Sequence, residues 1–164
     1  MTDEELFLAL ADAAEPLPVG DAAKLRLRAA LDADPYLPFS SELARHFDLP
    51  AEDVRALLRK IDDPEFWIRD VSPMHGHLDF TPGPSLRPLH GGFARMLSGM
   101  RIQKHRHVHR ELTYVLSGTL SDGEREYGPG EFIDMPEGSV HEVVVPEGKE
   151  ALVALLSGRI HLLP

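Results

Sequence analysis

The chain has 164 residues, with 27 Asp+Glu against 17 Lys+Arg, 14 Pro, 13 Gly and no Cys. An apolar share of 43% with 27% charged residues excludes wholesale disorder, and the lack of Cys excludes disulfides, thiolate zinc sites and Cys nucleophiles. The net charge of −10 disfavours DNA and anionic membranes as principal partners, because both repel an acidic surface. No run approaches 18 consecutive apolar residues, and Met1-Thr2-Asp3-Glu4-Glu5 is acidic where a secretory leader starts positive. The expectation is a cytoplasmic protein with no nucleic-acid or membrane partner.

In chain order, Thr2 opens a capping box with Glu5, and Leu6, Phe7 and Leu10 follow at helical spacing until Pro16 and Pro18. Asp21 caps a second predicted helix, whose Leu25, Leu27 and Leu31 end near Asp34-Pro35. Ser40 or Ser41 caps a third, running from Glu42 to about Phe47. Asp48-Leu49-Pro50 then turns the chain, and Pro50 or Ala51 opens a fourth helix through Val54, Leu57, Leu58 and Ile61. Leu43 to Leu58 has the rhythm of a helix-turn-helix. Residues 1–70, however, carry 16 Asp+Glu against 8 Lys+Arg, so packing on the rest of the chain or on a basic protein partner is favoured over DNA.

From about Trp67 the pattern changes to short strands punctuated by Pro and Gly. Arg95–Ile102, Glu111–Ser117, Glu124–Tyr127, Glu131–Asp134, His141–Val145 and Ala151–Leu156 are the predicted strands. Gly118, Asp122-Gly123, Pro129-Gly130, Glu137-Gly138 and Glu147-Gly148 supply turns between them, and Gly91-Gly92 reads as a bare turn. Short strands about ten residues apart indicate a sandwich or closed barrel. The predicted layout is a helical segment over 1–66 followed by a β-domain over 67–164.

The chemistry is concentrated between Gly99 and Gly118. His105, His107, His109 and Glu111 alternate with Lys104, Arg106, Val108 and Arg110. In an extended strand that alternation puts all four donors on one face, with Arg106 and Arg110 facing solvent. Imidazole nitrogens with a carboxylate suit a divalent ion such as Zn, Fe(II), Mn, Ni or Co(II). Of the remaining histidines, His75, His77 and His90 are read as exposed or edge-strand residues, and His46 and His161 as structural or solvated.

Gly99, five residues, His105-x-His107, three residues, Glu111, six residues, Gly118 resembles the first motif of the cupin superfamily at every fixed position. Gly130, five residues, Pro136-x-Gly138, two residues, His141 resembles the second, with Val145 where the family usually has Asn. The resemblance implies a mainly β fold, a cupin β-barrel (double-stranded β-helix or jelly roll) preceded by the small helical segment. It implies one divalent metal ion held by His105, His107, Glu111 and His141, with His109 as a neighbour or substitute. Glu111 to Gly118, Asp122 and Tyr127-Gly-Pro-Gly130-Glu-Phe look like the ChrR-type branch, in which the barrel is the sensory half of an anti-sigma factor. Leu8 to Pro18 and Ala23 to Leu31 are similar to the stretch that follows the sigma-binding segment in that group. The group's zinc-type segment uses His and paired Cys, and this chain departs from it by having no Cys.

Two functions follow as expectations. In the first, a metal-loaded barrel binds a small molecule or oxidant and the helical segment contacts a protein partner. In the second, the barrel is a mononuclear metal enzyme, a dioxygenase or isomerase acting on a small diketone or carboxylate. No catalytic residue is assigned. With Glu111 facing inward, Thr113 and Val115 share its face, Met96, Ser98 and Met100 line the same cavity, and Tyr114 points out. That lining offers no acid or base beyond Glu111. The resemblance also implies a homodimer.

Overall fold

The computed structural model describes residues 23–24, 34–69 and 75–164; apart from Ala23 and Lys24, which are helical, the two helices expected before Pro35 lie outside the described residues. Contacts divide the chain into Met1–Pro35 and Tyr36–Pro164. The second unit begins with helices α1 (Ser40–Phe47) and α2 (Ala51–Arg59), the latter continued by a 3-10 turn over Lys60–Asp62. Their joint is the Asp48-Leu49-Pro50 turn expected from the sequence. Asp48 adopts a left-handed φ of 52°, which a short polar side chain tolerates. Its carboxylate accepts hydrogen bonds from the Ser85 backbone N–H at 3.1 Å and the Ser85 hydroxyl at 2.7 Å, which hold its pKa below the usual carboxylate value.

Among the described residues eleven strands follow: β1 (Ile68–Arg69), β2 (His75–Phe80), β3 (His90–Met96), β4 (Arg101–His107), β5 (Glu111–Gly118), β6 (Leu120–Ser121), β7 (Glu126–Tyr127), β8 (Phe132–Met135), β9 (Val140–Val144), β10 (Ala151–Ser157) and β11 (Ile160–Leu162). They form a six-stranded sheet in the order β1-β2-β3-β10-β5-β8 and a five-stranded sheet in the order β11-β4-β9-β6-β7. Every pairing is antiparallel.

β5 and β10 read as almost continuous apolar runs because each is covered on both faces. Leu112, Tyr114 and Leu116 of β5, with Leu152, Ala154 and Leu156 of β10, join a core that includes Leu43 and Phe47 of α1, Val54 and Leu58 of α2, and Ile61. The opposite faces, carrying Val115, Ala151 and Val153, pack with Leu120, Tyr127, Val143 and Val145 in a second core. The helices therefore cover one face of the six-stranded sheet, and the interior carrying the site lies on the other. Trp67 and Arg95 tie the end of α2 to the sheet: the indole N–H and the guanidinium each donate to the Ile61 carbonyl at 2.8 Å, and the guanidinium lies 4.8 Å from the indole ring.

Three expectations are corrected. The predicted run Arg95–Ile102 is two strands separated by a turn, in which the Met100 N–H donates to the Leu97 carbonyl and Gly99 has a φ of 73°. Gly91-Gly92 lies within β3 rather than in a turn. A Cβ on Gly91 would sit 2.3 Å from the Phe80 ring, so glycine is required there by close approach. Ile160–Leu162 forms an edge strand that the sequence reading did not anticipate.

Candidate functional site

β4 and β9 build the site. Their register sets His105 opposite His141, after an irregularity between Ile102 and His105 that re-aims the end of β4. Period-two alternation puts His105 and His107 on the inner face, where they are 2% and 1% exposed, and His141 joins them at 7%. The Nε2 atom of His141 lies 3.0 Å from that of His107 and 3.1 Å from that of His105. These three histidines form a group able to hold a metal ion, with one donor atom from each lying within 4.8 Å of the others.

The alternation does not continue to residue 111. β4 ends at His107, a bend follows at Val108 and His109, and Glu111 starts a strand of the other sheet. His109 is therefore carried away from the triad; its ring packs against Gly158, where an added Cβ would lie 2.6 Å from it. Glu111 stays beside the triad without joining its converging atoms. Its Oε2 accepts from Ser157 Oγ at 2.7 Å and lies 3.8 Å from His107 Nδ1, while Oε1 lies 3.5 Å from Thr113 Oγ1. Ser157 was missed because no local motif marks it. β10 delivers it: Leu156 pairs with Leu112, so the next residue arrives next to Glu111.

His105 Nδ1 donates to the Gln103 carbonyl at 2.8 Å, which leaves its Nε2 as a lone pair aimed at His141. His141 Nε2 faces two neighbouring nitrogens with at most one proton of its own, and the Nδ1 atoms of His107 and His141 are buried without hydrogen-bond partners. A cation accepting all three lone pairs relieves that conflict. Two nitrogens each about 2.1 Å from one ion and at a right angle lie about 3.0 Å apart. The donor set therefore fits a divalent ion.

Burial favours the neutral form of His107 and His141, the form that coordinates. His141 is pushed down to about 4, chiefly by burial and then by the charges of His105 and His107 on protonation. His107 is also lowered by burial, against the pull of Glu111. The folded state thus binds fewer protons than the unfolded one, so stability is complete above the ordinary histidine pKa of about 6.5 and falls as pH drops towards 4. For His141 alone the loss reaches up to about 3 kcal/mol. Urea unfolding of metal-free protein at pH 7 and pH 4.5 is expected to show this decline, and His141→Gln to flatten it. A midpoint that is equally pH-dependent in the variant would refute the assignment.

The triad opens on a cavity of about 210 Å3. His105, His141, Glu111, Thr113 and Ser157 form its polar end, and Met96 and Ile133 are among its apolar walls. Val115, from the same face of β5, lies in the core beyond. Ser98 is corrected: it is exposed and bonded to Glu147 and to the Gly148 N–H. Tyr114 points away from the cavity as expected but is 1% exposed, because α1 covers it. Its hydroxyl donates to Glu42 Oε2 at 2.8 Å, and burial with that contact raises its pKa. Arg106 and Arg110 are exposed as expected; Arg110 forms a two-pronged pair with Asp134 at 2.8 and 2.6 Å. His46 stacks on Phe132 at 4.3 Å, and His90 and His161 are exposed.

Residues 90–159 match the family model described as ChrR Cupin-like domain. No significant match was found among curated proteins. Among solved structures, one of Rhodobacter sphaeroides SigE in complex with the anti-sigma ChrR matches with TM-score 0.57 and 19% identity, over 94% of this chain and 76% of that one. A Ralstonia eutropha JMP134 protein with a cupin-like fold matches with TM-score 0.50 and 20% identity over 55% of this chain, which spans 59% of that chain's length. An acetylacetone dioxygenase from Acinetobacter johnsonii matches with TM-score 0.51 and 8% identity, over 62% of this chain and 74% of that one. At these identities the likeness is one of fold. The expected β-barrel with helices on its N-terminal side is the architecture present.

Proposed function

We propose, from the match of residues 90–159 to the ChrR Cupin-like domain model, that this chain is a metal-binding sensory protein. In this reading His105, His107 and His141 hold a divalent ion, with Glu111 as the carboxylate available to complete the set. A small molecule or oxidant enters the cavity, and the helical part of the chain contacts a protein partner. When bound, the ion supplies an electrophilic point for an oxygen-bearing ligand. His105 is oriented for this by the Gln103 carbonyl, and Glu111 by Ser157.

One observation carries the regulatory part: β5 is used on both faces. Glu111 and Thr113 line the cavity, while Tyr114 between Thr113 and Val115 donates a hydrogen bond to Glu42 on α1. A ligand that changes the packing of β5 acts directly on the contact with α1, provided it binds two arrangements with different affinity. The structure of SigE with the anti-sigma ChrR motivates a DNA-binding transcription factor as the class of partner. With no Cys in the chain, such contact cannot use a thiolate zinc site. Affinity capture from the native host with metal-loaded and metal-free chain tests the reading; recovery of no partner in either state, with or without oxidant, overturns it.

Tyr114→Phe is expected to destabilise the protein by about 1 to 2 kcal/mol, the loss of a partly buried bond to a carboxylate. Metal content should stay the same while partner capture changes. Unfolding curves, metal analysis and capture on one preparation separate these effects.

A second reading rests on the mainly apolar cavity beside the triad, which also suits a dioxygenase acting on a small diketone or carboxylate. Oxygen uptake by iron-loaded protein with acetylacetone distinguishes the two. Substrate-dependent uptake favours the enzyme, whereas zinc in native material and no uptake favours the sensor.

A further inference from the structure

The chemistry of the cavity wall narrows what can enter it. This inference rests on the reading of the triad as a metal site. Apart from the histidines, Glu111 is the one ionisable side chain among the described residues lining the cavity; no Lys or Arg faces it. The two hydroxyls of the polar end, Thr113 and Ser157, are already directed at the Glu111 carboxylate. Met96, Ile102, Leu120, Val143, Val153 and Leu155 make up the rest of the wall with Ile133 and, at the rim, the 38% exposed Ile160.

A divalent cation with one carboxylate and three neutral imidazoles leaves one net positive charge. One anionic group compensates it. A second anionic group would be desolvated against aliphatic side chains with no partner, a heavily unfavourable state. A polyol fails for a related reason, because its hydroxyls would find no free donors or acceptors along the wall. Size gives the remaining limit. An apolar cavity of roughly 150 Å3 takes benzene, so about 210 Å3 accommodates one ring or branched chain with its head group.

We propose that the cavity binds a small monocarboxylate with an aromatic or branched aliphatic body, its carboxylate at the triad and its body among Met96, Leu120, Val153 and Leu155. Dianions and sugars are excluded by the same wall. The test is calorimetric titration of the full chain loaded with Co2+, using benzoate and 4-methylpentanoate against succinate and glucose, with the Co2+ content determined on each preparation.

Benzoate or 4-methylpentanoate is expected to bind at least ten-fold tighter than succinate, glucose to give no heat, and removal of Co2+ to weaken benzoate at least ten-fold. Leu155→Trp, which fills the cavity, should abolish benzoate binding and keep Co2+. Ile160→Trp at the exposed rim provides the same test should the first variant fail to fold. A chain that takes up no Co2+ overturns the metal reading and this proposal with it. A chain that takes up Co2+ yet prefers succinate or glucose, or binds none of the four, overturns the proposal alone.

Discussion

Replacing His141 with Ala is expected to reduce bound divalent metal from about one ion per chain to less than a tenth of that, with affinity falling at least about 100-fold. His141 is the donor from the second strand: its Nε2 sits 3.0 Å and 3.1 Å from the other two. Without it His105 and His107 alone, adjacent on β4, must hold the ion. His105→Ala should behave alike. Glu111→Gln should lose less, since its oxygens are engaged by Ser157 and Thr113 rather than converging with the triad. Elemental analysis after extensive dialysis checks all three, and equal metal in the His141 variant and the parent would defeat the assignment. Acid should mimic the substitution, because protons compete for the same nitrogens. Since His141 is held down to about 4 by burial and then by its two neighbours, metal loss should set in below the range of a free imidazole. Loss centred near pH 6.5 would show that burial does not govern the site.

The triad was legible because its signals are local. His105 and His107 are two apart on one strand, and His141 stands at a fixed distance from Pro136 and Gly138 in a strand whose turn is marked by glycine. The five glycine turns expected between strands each hold a glycine with positive φ, at positions 118, 123, 130, 138 and 148. Glu111 does face the cavity, but it arrives there from the start of a strand of the other sheet and not by unbroken alternation, because the chain bends at Val108. The run from Gln103 to Glu111, polar except for Val108, carries no mark of such a crossing. Ser157 and Ile160 were invisible for a different reason: they reach the cavity only through pairing of β10 with β5 and of β11 with β4. Tyr114 was correctly aimed away from the cavity, yet a face turned outward from a barrel is not thereby wet. The apolar faces of α1 and α2 needed a surface, and the outer faces of β5 and β10 supplied it.

That shared core leads to the largest expected effect on stability, Phe47→Ala at about 3 to 5 kcal/mol. Phe47 is fully buried at the end of α1, its ring 4.8 Å from that of Phe80, which in turn lies 5.4 Å from Phe93 on β3. Truncation removes the link between helix and sheet and leaves a cavity that the antiparallel strands beneath cannot close. Against a total stability of roughly 5 to 15 kcal/mol, that is at least about a fifth of what holds a domain folded. The one tryptophan, Trp67, reports on this junction because its indole N–H donates to the Ile61 carbonyl at the end of the helical pair. Urea unfolding followed by Trp67 fluorescence and by far-ultraviolet dichroism should shift to lower denaturant together. If the fluorescence change came first and the dichroism of the sheets stayed at its original midpoint, the helices would be an appendage rather than part of the core. The metal measurement on the same variant completes the argument. The triad faces the opposite side of the sheet, so Phe47→Ala protein that is still folded at low temperature should keep its metal. A change introduced under α1 would then be read in stability without being read at the site, whereas Tyr114, on the strand shared by both, remains the position at which the two are joined.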